Sequence, residues 1–114
     1  MPRPPVAAPT GEFVGADSFH FGRGIVSILE PTPGAYVLRF EEFVVLNGPD
    51  LYIYLSTDPA GYTSGASEVA RLKASKGSFN VEIPGGVDVS RVRSVVIWCK
   101  AFGVQFAHAE LAAG

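Results

Sequence analysis

The chain has one cysteine, Cys99, in 114 residues. A lone thiol cannot close an intrachain disulfide, so a disulfide scaffold is excluded. Histidine is almost as scarce, with only His20 and His108, and no Cys/His spacing of a zinc site occurs. Positive charge is not in excess. Nine Lys and Arg stand against eleven Asp and Glu, for a net charge of −2. The electrostatic footprint that nucleic acid or an anionic membrane requires is therefore missing. No apolar run approaches the roughly 20 residues that span a bilayer. The opening Met1-Pro2-Arg3-Pro4-Pro5 has no hydrophobic signal core. The expectation is either a cytoplasmic chain or one that begins after a removed signal or anchor.

Long helical periodicity is also lacking. Without a following helix, Gly22-Arg23-Gly24 is not a phosphate loop. There is no serine-nucleophile elbow and no EF-hand loop. Glu41 and Glu42 are adjacent, and strand alternation sends them to opposite faces, which argues against a paired-carboxylate acid/base site.

What is present is an apolar, weakly charged chain, 47% and 18% respectively, which reads as one globular domain. Pro2, Pro4, Pro5 and Pro9 hold four of the nine prolines and block both helix and ladder. Residues 1–10 therefore read as a linker or tether before a domain over residues 11–114. Short apolar runs follow, at Glu12–Gly15, Phe21–Glu30, Ala35–Phe43, Leu51–Thr57, Glu68–Ala74, Ser78–Ile83, Ser94–Lys100 and Val104–Leu111. Turn residues punctuate them: Pro31-Thr32-Pro33-Gly34, Asn47-Gly48-Pro49-Asp50, Asp58-Pro59-Ala60-Gly61, Ser75-Lys76-Gly77 and Pro84-Gly85-Gly86. About eight short strands at this spacing predict an all-β fold, an antiparallel sandwich or barrel. The weakest strand is the fifth, since Ser67–Leu72 could equally start a helical turn.

Alternation sorts the faces. Tyr36, Leu38 and Phe40 share a face of the third strand. Leu51, Ile53 and Leu55 share a face of the fourth, opposite Tyr52 and Tyr54. In the seventh, Val95, Ile97 and Cys99 lie opposite Val96, Trp98 and Lys100. A strand apolar on both faces is central in its sheet or covered on both sides.

Cys99 admits several readings. It is a small buried hydrophobe, a reactive thiolate, or a haem ligand. A thiolate needs a nearby cation or partial exposure. Lys100 is the adjacent cation, but it points to the other face unless a bulge or the strand end turns it. Cys99 does end its run, just before the turn at residues 100–103. If that turn is a tight hairpin, Cys99 faces Val104 and His108 lies roughly 13 Å further along the strand. A Cys99–His108 dyad or ligand pair is thus disfavoured, whereas His20 stays open as a partner. Trp98 reads as core, as a groove wall, or as a stacking surface for a flat cofactor. Tyr52 and Tyr54 read as packing or as an aromatic strip. Asp50 is expected to cap its turn through an Asx hydrogen bond.

Four blocks together resemble the DM13 domain. They are Phe19-His20-Phe21-Gly22-Arg23-Gly24, Asn47-Gly48-Pro49-Asp50-Leu51-Tyr52-Ile53-Tyr54-Leu55-Ser56, Leu72 to Asn80, and Val96-Ile97-Trp98-Cys99-Lys100-Ala101-Phe102-Gly103-Val104-Gln105-Phe106 with Ala109-Glu110-Leu111. They follow the family's order across residues 11–111. The resemblance implies a small all-β domain of secreted or membrane-tethered proteins, often beside redox domains. It implies an electron-transfer accessory role through Cys99, acting bare or through a prosthetic group such as haem, with a redox partner protein or domain. On that view the chain is not an autonomous enzyme, and Cys99, Trp98 and His20 are its candidate cofactor-binding residues. The rival readings are a noncatalytic adhesion or structural module with Cys99 buried, and a carrier of haem or a small ligand between the sheets.

Overall fold

The computed structural model describes residues 8–112. Eight strands are arranged as β1 (Thr10–Gly15), β2 (Gly22–Thr32), β3 (Ala35–Val45), β4 (Leu51–Ser56), β5 (Ser67–Arg71), β6 (Lys76–Glu82), β7 (Ser94–Cys99) and β8 (Val104–Glu110). All pair antiparallel in one sheet of order β5-β4-β7-β8-β1-β2-β3-β6. The predicted all-β class and the eight strands are observed. β5 is a strand and not a helical turn. A 3-10 turn at Val89–Arg91, absent from the expected elements, is capped by Asp88, which accepts from the Ser90 N–H. Of the expected tether, residues 1–7 lie outside the described residues, and Thr10 already opens β1.

β1 is the seam of the fold. Its first half pairs with β2, at Thr10–Ser27 through Glu12–Ile25, and its second half with β8, at Phe13–Ala109 through Gly15–Ala107. The sheet therefore bends around β1 and curls into a nearly closed barrel. Its two edges, β5 and β6, are consecutive in the chain, and the Lys73 ammonium donates to the Asn80 carbonyl at 2.8 Å.

Alternation fills the interior. Phe13, Phe40, Phe43 and Phe79 form a stacked and edge-on cluster, with Phe40 and Phe79 centroids 4.8 Å apart and Phe13 and Phe43 5.1 Å apart. Leu38, Ile53, Val95, Ile97 and Cys99 continue it, all fully buried. One irregularity departs from strict alternation. Glu42 has φ +51 at a bulge where β3 shifts register against β6. Both Glu41 and Glu42 are exposed as a result, so they do not take opposite faces, and Phe43 and Val45 stay inside. The bulge depends on Gly24 across the pair: a Cβ there would meet the Phe43 backbone at 2.6 Å, so the strands approach this closely only with glycine.

Candidate functional site

The outer face of β4 and β7 carries the densest side-chain chemistry. Register sets Tyr52 opposite Trp98 and Tyr54 opposite Val96. β7 is apolar on both faces, and the structure shows what covers its outer one. Residues 57–66 between β4 and β5 fold back as a strap that reaches Trp98, held by hydrogen bonds. Ser94 Oγ donates to the Asp58 carbonyl at 2.6 Å, and Ser56 Oγ accepts from the Asp58 N–H at 3.1 Å. Further along, Gln105 Oε1 accepts from the Tyr62 N–H at 2.8 Å. Ser56 and Ser94 are fully buried and face each other across β4 and β7. Their hydroxyls satisfy the strap's backbone, as buried polar groups require.

The strap delivers Tyr62 onto Trp98. The rings stack with centroids 3.6 Å apart and planes 12° apart. Tyr62 also meets Tyr54 edge-on at 5.4 Å. Offset and edge-to-face contacts of this kind contribute about 0.5–1.5 kcal/mol each beyond their buried area.

A chain of charges borders the aromatics. The Tyr54 hydroxyl donates to Glu68 Oε1 at 3.0 Å, and the Lys100 ammonium donates to the same oxygen at 2.8 Å. Lys100 lies 4.8 Å over the Tyr52 ring and Arg71 5.0 Å from it. Arg71 also donates to Asp50 Oδ1 at 2.9 Å and to the Tyr52 hydroxyl at 3.3 Å. The expected Asx cap is thus not what Asp50 provides; its carboxylate reaches across to β5. Burial, followed by the hydrogen bond to Glu68, raises the Tyr54 phenol above its ordinary value. The hydrogen bond from Lys100 lowers Glu68 and raises Lys100.

Cys99 lies on the opposite, inner face, fully buried between Leu51 on β4 and Val104 on β8. The hairpin places it across from Val104 and places His108 across from Val96, on the aromatic side of the sheet. Lys100 is turned away toward Glu68. His20 sits in the segment between β1 and β2. Its Nδ1 is 2.8 Å from Asp17 Oδ1 and its ring lies 4.5 Å from Phe106. The hydrogen bond with His20 lowers the Asp17 carboxyl. Cys99, Trp98 and His20 therefore face three directions: into the core, onto the outer face, and against Phe106.

Haem does not fit this arrangement. A planar macrocycle at Cys99 would have to displace Leu51, Ile97 and Val104 from a filled core, and β7 stands between the thiol and the Trp98 ring. Among the described residues no group of three or more His, Cys, Asp or Glu is placed to hold a metal ion. No helix among them is long and apolar enough to cross a membrane.

Alternation put Tyr52 and Tyr54 on one face of β4, and Trp98 and Lys100 on one face of β7; the pairing of the two strands joins these into a single surface. Tyr62, Glu68, Arg71 and Gln105 were missed as members of the site. The available signal was that β7, apolar on both faces, needed an outer cover, and Tyr62, in the loop after β4, is an aromatic that could supply it.

The model of the family described as Electron transfer DM13 matches residues 12–111. No curated protein and no solved structure matches the chain. Because that match runs from β1 through β8 and takes in every residue of the aromatic face, the chain belongs to the DM13 family.

Proposed function

We propose that this domain is an electron-transfer accessory module, not an autonomous enzyme, and that it exchanges single electrons with a redox partner at the outer face of β4 and β7. The family description supports electron transfer. The observation that carries the location is the Tyr62–Trp98 stack, a partly exposed pair of oxidisable rings in contact at 3.6 Å. The DM13 resemblance also favours an extracytoplasmic setting, beside redox domains.

The role expected of Cys99 takes a narrower form here. Thiol–disulfide exchange needs a thiolate that an attacking sulfur can reach. Cys99 is enclosed, with apolar Leu51 and Val104 as its strand neighbours. Such exchange would require the hairpin at residues 100–103 to open first. An electron, unlike a sulfur, needs no such opening to reach Trp98.

Photo-oxidation of the full chain by ruthenium(III) tris-bipyridine tests this reading, with Trp98→Phe and Cys99→Ser compared side by side. Loss of fast oxidation in Trp98→Phe and its retention in Cys99→Ser is the expected result. The reverse pattern would return the redox role to Cys99. Indifference to both changes would favour the binding or structural module, which the complete burial of Cys99 also suits.

A further inference from the structure

Three oxidisable rings, Trp98, Tyr62 and Tyr54, are in continuous contact from the surface inward. Trp98 stacks on Tyr62 at 3.6 Å, and Tyr62 meets Tyr54 at 5.4 Å. Only the inner end of this series has a hydroxyl bonded to a carboxylate, Tyr54 to Glu68 at 3.0 Å. Tyr54 is 7% exposed, whereas Glu68 is open to solvent.

That arrangement matters because a phenol cannot lose an electron easily while it keeps its proton. The oxidised phenol is a far stronger acid than any carboxylic acid. A hydrogen-bonded carboxylate therefore accepts the proton as the electron leaves, and the coupled step avoids the high-energy protonated radical cation that electron loss alone would form. Lys100 donates to the same Glu68 oxygen and reduces its basicity, but not by enough to reverse so large a difference in acidity.

We propose that Tyr54 is a redox-active tyrosine, with Glu68 as its proton acceptor and the Tyr62–Trp98 stack as its electron path to the surface. The oxidant is a one-electron-oxidising metal centre on a partner protein. In the step, the Tyr54 O–H bond breaks and its proton forms a new O–H bond on Glu68. One electron passes through Tyr62 and Trp98 to the partner's metal, which is reduced by one. The products are a neutral tyrosyl radical and a protonated Glu68. Return of one electron to Tyr54 and of the proton from Glu68 restores the starting state. Burial of Tyr54 beneath the strap shields the radical from solvent reductants. This site rests on the electron-transfer reading above and extends it from an entry point to a place where the oxidising equivalent is held.

The test is flash photo-oxidation of the full chain with ruthenium(III) tris-bipyridine, followed by transient absorption and electron paramagnetic resonance. In the wild type a tryptophanyl signal should decay as a tyrosyl signal rises, with a rate that falls in deuterated water. Tyr54→Phe should leave the tryptophanyl signal and remove the rise of tyrosyl. Glu68→Gln keeps a hydrogen-bond acceptor but cannot take the proton. It should slow tyrosyl formation about 10²-fold, the scale of losing a positioned general base. Lys100→Met breaks the same ion pair and leaves the carboxylate, so it should not slow the step. This variant separates proton acceptance from a structural role of the pair. Tyr36→Phe, on a distant strand, serves as the control for nonspecific tyrosine oxidation. Tyrosyl formation that survives Tyr54→Phe, or that is equally fast in Glu68→Gln, overturns the assignment. If Trp98 is oxidised in every variant and no tyrosyl follows in the wild type, this inference fails while the entry point at Trp98 stands. If Trp98 is not oxidised at all, the electron-transfer reading of this face fails with it.

Discussion

Gly61 lies so close to Gln105 that a Cβ on it would collide with the Gln105 carboxamide, and its φ of +124 is a conformation that L side chains rarely adopt. The residue that orients Tyr62, through Gln105 Oε1 to the Tyr62 N–H, is thus the one that packs on the glycine preceding it. Gly61→Ala should unseat the strap at a cost of about 1–3 kcal/mol, from backbone strain added to displacement of Gln105. Trp98 is the sole tryptophan, so its emission reports on the Tyr62 stack directly. The expected outcome is a red shift and a lower unfolding midpoint, whereas unchanged emission would mean that the strap does not depend on this turn.

The environment of Cys99 sets a second expectation. With the thiol fully buried in an apolar cluster, alkylation in native conditions should proceed only through opening, and its rate should rise with denaturant. Cys99→Ser puts a more polar hydroxyl into this apolar cluster, at a desolvation cost of about 1–3 kcal/mol. Cys99→Ala loses one buried heavy atom and should be the milder change. Denaturant titration of the two variants orders them, and rapid native labelling would contradict the burial.

Most of the fold was legible because strands and turns leave local marks. Proline and glycine clusters bounded the runs, and alternation grouped Leu51 with Ile53, and Val95 with Ile97 and Cys99, on faces that the structure turns inward. A tight hairpin over residues 100–103 put Cys99 opposite Val104 and away from His108, as the structure shows. What escaped depends on contacts distant in sequence. Tyr62 meets Trp98 across 36 positions of chain, in a loop with no periodic pattern. Glu68 joins Tyr54 and Lys100 only because β5 and β7 flank β4. The bulge at Glu42 reversed the alternation that had separated it from Glu41, since one extra residue flips every side chain after it.

Ionisation of the Glu68 cluster gives a third prediction. Glu68 is held below its ordinary 4.5, chiefly by the hydrogen bond from Lys100. Its contribution to stability is present above that ordinary value and is lost as pH falls through the lowered folded value. Lys100 is raised above 10.5, first by the hydrogen bond to Glu68, and Tyr54 above 10.0, first by burial. Their contributions have the opposite sense: present at lower pH, and lost as pH rises through the raised folded values. The difference in urea midpoint between wild type and Glu68→Gln should therefore be greatest on the neutral plateau and shrink toward both acid and alkali. A difference that does not change with pH would mean that charge plays no part in the pair.

Ser94 supplies the last prediction, because its burial leaves it no solvent alternative. Its hydroxyl donates to the Asp58 carbonyl at 2.6 Å, at the point where the strap leaves β4. Ser94→Ala removes this donor and leaves the Gly61 N–H, at 3.2 Å, as the remaining donor to that carbonyl. Removing one member of a buried hydrogen bond costs about 1–3 kcal/mol when the other stays unsatisfied. Here the strap keeps other holds, the Ser56 hydroxyl on the Asp58 N–H itself and the Gln105 carboxamide on the Tyr62 N–H. If it detaches locally at Asp58, stability falls by less than that range, and amide exchange rises at Asp58 and Ala60 while the Tyr62 amide stays protected. If the whole strap is released, Tyr62 exchanges too, and Trp98 emission shifts as in Gly61→Ala. The hydrogen-bond pattern favours the local outcome, because the Tyr62 N–H is held by Gln105 on β8 independently of Ser94. Hydrogen exchange resolved at Asp58 and Tyr62 separates the two. Simultaneous release at both positions would show that the buried serines, and not the aromatic stack, keep Tyr62 on Trp98.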